Sequence, residues 1–560
     1  MDACRYHKVV NTQKSSFAFK KGVAPVPHQA VRIALYQILP RLALWVFALF
    51  LSFISPSKGD DGNLSLVAER RMGDVIAKQI LRDPDYIDDP LLLSYVDGIW
   101  QQLIAAARQR GDISPEMDQQ FAWRVLLGKD RSVNAFALPG GYFGVHLGLL
   151  GLLDTPDKLA AVLAHELTHV TQRHISRSIA RQEKQAPLLL ASMVLGVLAA
   201  KNNNHAANAV IASSQAIQIQ GQLNYSRDME READRIGFNL MQAAGFDPKG
   251  FVGLLQLLQQ SARLSDSGRY PYLRTHPLNT ERIGDADVRL LNTANSGVAT
   301  NHSNVSADKN MVHHMMAARA RVFSEPDADT MRLWANASIA TGATASTANK
   351  DPARMAVVHY AAVLVHMRFK DFEHARVSMG KLREAVGGHT KANHHANLLE
   401  MELALAVASS TGNKSMLQKM LPLLSGPSDA SPSTQLKNRA ELFLLSQAHL
   451  VNNEADKATS ALRAWVAIHP QDALVWQLLS KAYAAQKQTI RAIRAEAEGQ
   501  VALMDYAAAL DRYGAAQELA KNFVSTQDRD FIEESIVDVR TRQVQELLSQ
   551  QRQYEKDAVK

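Results

Sequence analysis

The chain has 560 residues, 46% of them hydrophobic and 21% charged, which is more than one hydrophobic core serves and predicts two to four domains. Its formal net charge of +7 looks basic, yet residues 1–41 carry seven Lys and Arg against Asp2 alone, so the remainder is nearly neutral. That balance offers no basic surface for nucleic acid, and no nucleic-acid partner is expected.

Directly after Arg41 comes the apolar run LALWVFALFLSFI, long enough for a signal-peptide core but short against the roughly 20 residues of a membrane span. Residues 1–57 therefore read as a signal peptide with a long n-region, cleaved near Ser57; a retained N-terminal anchor is the alternative. The single cysteine, Cys4, falls inside this segment, so the exported product forms no disulfide. That is compatible with an oxidising periplasm.

Further on, NAFALPGG (Asn134–Gly141) alternates like a short strand and closes on Pro-Gly-Gly, which confines it to a sheet edge or a turn. Next comes AAVLAHELTHVTQRH (Ala160–His174), an apolar helical stretch in which His165 and His169 lie four apart on one face with Glu166 beside them. Two imidazoles in that relation can share a zinc ion, and Glu166 can take a proton from metal-bound water without being a ligand. A bare H-E-x-x-H also suits a surface helix. Here Leu159–Val170 is apolar and free of Pro and Gly, so the polar trio is expected to be buried and in need of partners.

Two histidines leave a catalytic zinc one protein ligand short. The compact site that continues along the same helix would need Gly and His where Gln172 and Ile175 stand, and His174, one residue off, reads as a solvated helix-end residue. A better source is YSRDMEREADRIGFNLM (Tyr225–Met241). Glu230 and Asp234 share a face there, so Glu230 can bind metal while Asp234 hydrogen-bonds a ligand histidine from behind and fixes its tautomer. Glu232 points away from that face and is expected to pair with an Arg. Taken alone, the stretch also reads as a salt-bridged helix surface.

HELTH, followed some sixty residues later by EREAD and preceded by NAFALPGGYFGVHLGLL, resembles the M48 zinc metallopeptidases, a gluzincin group of largely membrane-associated quality-control proteases; the resemblance covers roughly Leu64–Leu291. It implies one Zn2+ per subunit, held by His165, His169 and Glu230, with Glu166 as general base. It also implies that Asn134, Ala135, Phe136, Ala137 and Leu138 form an edge strand beside the metal helix, to which an extended substrate adds through backbone hydrogen bonds. Members share a Thr-His-Pro segment followed by Arg-Ile, here Thr275–Pro277 with Arg282 and Ile283. His276 then either stabilises an oxyanion, fills the fourth zinc position and holds the enzyme latent, or merely caps a loop.

Membrane members of the family have spans between the two zinc motifs. In this chain the corresponding run, Pro187–Ala200, is too short to cross a bilayer at about 1.5 Å per residue. The protein should then be soluble or peripheral to a membrane, with the run acting as a lid, an interfacial helix or a buried core helix.

Past Leu291 the composition turns small and polar, as in a linker, and then reads helical to the end. Leu442, Leu445, His449 and Ala458 recur as Trp476, Leu479, Tyr483 and Ala492 at an offset of about 34, the tetratricopeptide period. The predicted fold is mainly α: a gluzincin metallopeptidase domain over 58–291, helical with a small edge-strand sheet, a linker over 292–310, and an α-solenoid of tetratricopeptide-like repeats over 311–560. Such solenoids usually dock partners.

This domain order resembles that of periplasmic M48 proteases of Gram-negative bacteria. The resemblance implies quality control of misfolded or stalled outer-membrane proteins, with the repeats binding substrates or the barrel-assembly machinery. The rival expectation is a chaperone or assembly scaffold with a latent or structural metal site, against which an intact Glu166 argues.

Overall fold

The structure, a computed structural model, describes residues 63–182, 226–263, 269–295, 303–324, 326–343, 351–425, 438–521 and 530–557. The signal-peptide reading, Cys4 and the run Pro187–Ala200 lie outside the described residues. Pro56–Arg552 form one compact unit; of the other unit, Met1–Ser55 with Gln553–Lys560, the described residues contain only the last turn of the final helix.

Helices begin where the sequence supplies caps. The Ser65 hydroxyl accepts from Ala68 N at the start of α1 (Leu66–Leu81), and Asp89 accepts from Leu92 N at the start of α2 (Pro90–Arg110), whose first residue is proline. After the short α3 (Pro115–Gln120) comes a four-stranded sheet. Its strands β1 (Tyr86–Ile87), β2 (Arg124–Gly128), β3 (Ala135–Leu138) and β4 (Tyr142–His146) lie in the order β1-β2-β4-β3, parallel only between β2 and β4.

The β3–β4 hairpin turns at Pro139–Gly141, where Gly140 and Gly141 have φ of 72° and 80°. A side chain at Gly140 would also collide with the α1 backbone, its β-carbon falling 2.6 Å from Arg70 Cα. β3 is thus an edge strand, with β4 on one side and α5 (Pro156–Thr171) packed nearby. Asn134 precedes it, its carbonyl accepting from His146 N at 3.0 Å. Opposite Gly144, the Phe136 ring fills the space a side chain would need.

Between β4 and α5 lies α4 (Leu147–Leu152). This part of the chain is completed by α6 (174–182), α7 (226–243), α8 (Lys249–Arg263), the single turn α9 (Tyr272–Thr275) and α10 (Thr280–Asn295).

The next helix, α11 (Ser303–Phe323), begins inside the stretch read as a linker. Its buried face, with Met311, Val312, Met315 and Met316, starts about two turns in, and before it only Val305 and Ala307 interrupt the polar residues, too few to show an apolar period. Arg319, fully buried, donates to both oxygens of Asp89 (2.8 and 2.6 Å) and to Glu402 (2.7 Å), fastening α11 to the cap of α2. Helices α12 (Ala328–Ala343), α13 (Pro352–Arg368), α14 (Phe372–Val386), α15 (Thr390–Thr411) and α16 (Ser415–Ser425) follow, and one hydrophobic core runs from Leu91 to Ala448.

The repeats comprise α17 (Arg439–Val451), α18 (Ala455–Ile468), α19 (Ala473–Ala485), α20 (Thr489–Ala502), α21 (Tyr506–Lys521) and the terminal α22 (Phe531–Asp557). Arg439 to Ala473 and Ala455 to Thr489 are each 34 residues apart, the repeat period. Trp476, Leu479 and Tyr483 are buried in one cluster with Leu442, Ala458 and Leu462. Farther along, Arg82 pairs with Asp505 at 2.9 Å, and Leu503 and Met504 pack on Ala77, Leu81, Leu126 and Tyr142. The solenoid therefore closes back onto α1 and the sheet.

Candidate metal centre

Thr155 caps α5, Pro156 occupies its first turn, and nearly every residue from Leu159 to Thr168 is buried. A helix so enclosed cannot leave polar groups unmatched, and its histidines find their partners on α7. The two helices touch at Gly237, where a β-carbon would sit 3.2 Å from Ala164 C and His165 Cα. That close approach brings Glu230 and Asp234 of α7 against His165.

His165 Nε2 and His169 Nε2 face each other at 3.1 Å; His276 Nδ1 lies 3.2 Å from His165 Nε2 and 3.0 Å from Glu230 Oε1. Glu230 is also 3.4 Å from each of the other two imidazoles. One donor atom from each of these four residues falls within 4.8 Å of all the others. Metal bonds of about 2.0–2.2 Å in a tetrahedron put donor atoms roughly 3.3–3.6 Å apart, so this set fits a single ion.

Behind each helix-borne histidine stands a second ring of groups. His165 Nδ1 is 3.1 Å from Asp234, which Arg282 grips with two hydrogen bonds of 2.6 and 2.7 Å. Arg282 also approaches Glu230 at 3.0 Å and donates to the Pro277 carbonyl at 2.9 Å.

His174 is not a solvated helix-end residue. It is buried, with Nδ1 2.9 Å from His169 Nδ1 and Nε2 3.0 Å from Glu232. Arg173 is the reason: with φ of 54° it breaks the helix after Thr171 and turns the chain so that His174 folds under His169. Its guanidinium is held by Glu69 and the Leu64 carbonyl. Glu232 does pair with an arginine, Arg177, at 2.9 Å, but through His174 it also reaches the donor set. A continuous-helix reading of the sequence hides this contact, for which a positive φ at a non-glycine residue leaves no sequence signal.

Electrostatically the pocket favours positive charge. Burial alone would lower the His165 imidazole, but Asp234 and Glu230 raise it to about 10. Burial would likewise raise the Glu230 carboxyl, which hydrogen bonds from His165 and His276 hold far below its ordinary range. His169 is pushed well down, first by burial and then by His165 and His276. Glu166 is buried, and its Oε1 makes no hydrogen bond among the described residues, although His276 Nε2 lies 3.3 Å away out of alignment. A buried carboxylate oxygen without a hydrogen bond is costly, and this one stands beside His276 of the donor set.

The sequence pattern of Peptidase family M48 matches residues 99–289, from within α2 to α10. Residues 99–289 are an M48 peptidase domain. The four-residue donor set lies inside this span, His165, His169 and Glu230 on its two packed helices and His276 just after α9.

Outside the M48 domain the likeness continues. Over 327 residues the chain is 31% identical to a protein of Vibrio cholerae provisionally named beta-barrel assembly-enhancing protease, covering 57% of this chain and 60% of that one. Over 444 residues it is 26% identical to the beta-barrel assembly-enhancing protease of Escherichia coli K12, covering 78% and 81%. The mitochondrial metalloendopeptidase OMA1 of Saccharomyces cerevisiae is 28% identical over 195 residues, 34% of this chain and 53% of that protein. OMA1 thus matches a shorter stretch than either bacterial relative.

Proposed function

We propose that this chain is a zinc endopeptidase of the periplasm that removes misfolded or stalled outer-membrane β-barrel proteins, with its repeats docking those clients or the barrel-assembly machinery. The observation that carries the reading is the convergence of His165, His169, Glu230 and His276 on one point, with Glu166 Oε1, which makes no hydrogen bond among the described residues, beside it. Nitrogen and oxygen donors without a thiolate, at tetrahedral spacing, favour zinc in a catalytic setting. The names of the bacterial relatives support the choice of client. Among the described residues no helix is long and apolar enough to cross a membrane, which suits a soluble or peripheral enzyme.

Zinc, when bound, would polarise the scissile carbonyl and bring a water near neutral ionisation. The protein supplies the rest. Glu166 receives a proton and delivers it to the leaving amine. Asp234, anchored by Arg282, keeps the His165 ring oriented. The β3 edge, Asn134–Leu138, lines up an extended client through backbone hydrogen bonds, indifferent to its side chains. His276, whose Nδ1 belongs to the donor set, stands where a substrate carbonyl must come, so the arrangement is latent until His276 moves.

Digestion of casein by the full chain and by Glu166→Gln tests the enzyme reading. Cleavage should vanish in the variant while zinc is retained; equal cleavage would leave only the scaffold reading. The same variant, used as bait in envelope extracts, should retain outer-membrane proteins, and recovery of none would remove the proposed client class.

A further inference from the structure

His165 receives its outer support directly from a carboxylate, whereas among the described residues none stands behind His169. Its Nδ1 faces the Nδ1 of another histidine, His174, at 2.9 Å. Two identical ring nitrogens at that distance need one proton between them, and which ring carries it decides whether His169 can bind metal.

The answer runs inward from Glu232. An ionised carboxylate only accepts, so His174 Nε2, 3.0 Å away, must donate. Arg177 bonds the same Glu232 oxygen at 2.9 Å and balances its charge, so no second proton is drawn onto His174. A neutral His174 with its proton on Nε2 has a lone pair on Nδ1, which must accept from His169 Nδ1–H. His169 then has its lone pair on Nε2, the atom that faces His165 and Glu230. We propose that His174 and Glu232 are positioning residues for the metal, a two-residue relay that fixes the tautomer and ring orientation of His169. The relay rests on the reading of His165, His169 and Glu230 as metal ligands. It makes Glu232, expected from helical geometry to be irrelevant to the metal, a determinant of its affinity.

Zinc affinity of the full chain, measured by competition with a chromophoric chelator, tests the relay without recourse to activity. His174→Phe keeps the ring volume but removes the acceptor, and should weaken zinc binding by about tenfold or more. His174→Asn sets an acceptor oxygen near the position of Nδ1 and should restore affinity to within a few-fold of wild type. Glu232→Ala, at a half-buried site, should weaken zinc binding in the same direction as His174→Phe and carries the test alone if the Phe variant does not fold. Wild-type affinity in either His174→Phe or Glu232→Ala overturns the relay, as does an Asn variant as weak as Phe, which would mean packing alone. A wild-type chain that binds no zinc removes the metal-centre reading itself, and the relay with it.

Discussion

Arg439, the first residue of the first repeat helix, holds Asp88, just ahead of the α2 cap, through two hydrogen bonds of 2.7 Å, while the same guanidinium grips Asp472 of the next repeat at 2.7 and 2.8 Å. The side chain is 12% exposed, so both carboxylates are paired with little help from solvent. Arg439→Ala would strand them, and a loss of about 3 kcal/mol is expected from urea unfolding at pH 7. Burial would raise the Asp472 carboxyl, but hydrogen bonds from Arg439 and Trp465 hold it below its ordinary value. A depressed folded-state pKa stabilises the protein above the unfolded value, near 4, and that contribution fades as pH falls through the folded one. The gap between wild type and variant should therefore shrink at pH 3; a constant gap would contradict this account.

Gly237→Val is the corresponding test inside the site. The added branches have no room against Ala164 and His165, so α7 must move away from α5 and take Glu230 with it. The purified variant should fold yet hold clearly less zinc than wild type. Full zinc content would mean that the helices can part without disturbing the donor set.

Removing Glu230 takes away the carboxylate of the donor set and leaves Arg282 paired, among the described residues, with Asp234 alone. Glu230→Ala should lose most of its zinc by elemental analysis and all cleavage of casein. Retention of stoichiometric zinc would move the third protein ligand elsewhere.

His276→Ala distinguishes latency from oxyanion support by sign. If His276 closes the centre, its loss should speed digestion of an unfolded protein, the outcome expected from its place in the donor set. Slower cleavage by about 10²-fold would instead assign it to the oxyanion, and an unchanged rate at full zinc would make it a bystander.

What could be read in the sequence was whatever has a period. The apolar helix around His165, the shared face of Glu230 and Asp234, and the 34-residue recurrence through Trp476 and Tyr483 all follow from regular geometry, and the structure contains these elements. The contact of His174 with His169 does not, because it hangs on one left-handed residue, Arg173. Nor does the seat of the solenoid, which depends on single charges such as Arg82 with Asp505 and on the short loop at Leu503 and Met504. Isolated long-range contacts carry no repeat in the chain to betray them.

With β3 as the proposed client edge, recognition passes through backbone amides and carbonyls, and a segment whose own edges are already paired offers none. Under that proposal a β-barrel client would be visible only between arrival and closure of its sheet. What the site would measure in a client is duration: a chain that pairs its strands promptly escapes, and an identical chain that lingers does not. The threshold between rescue and destruction would be set by a race between two rates, with no degradation signal written in the client at all.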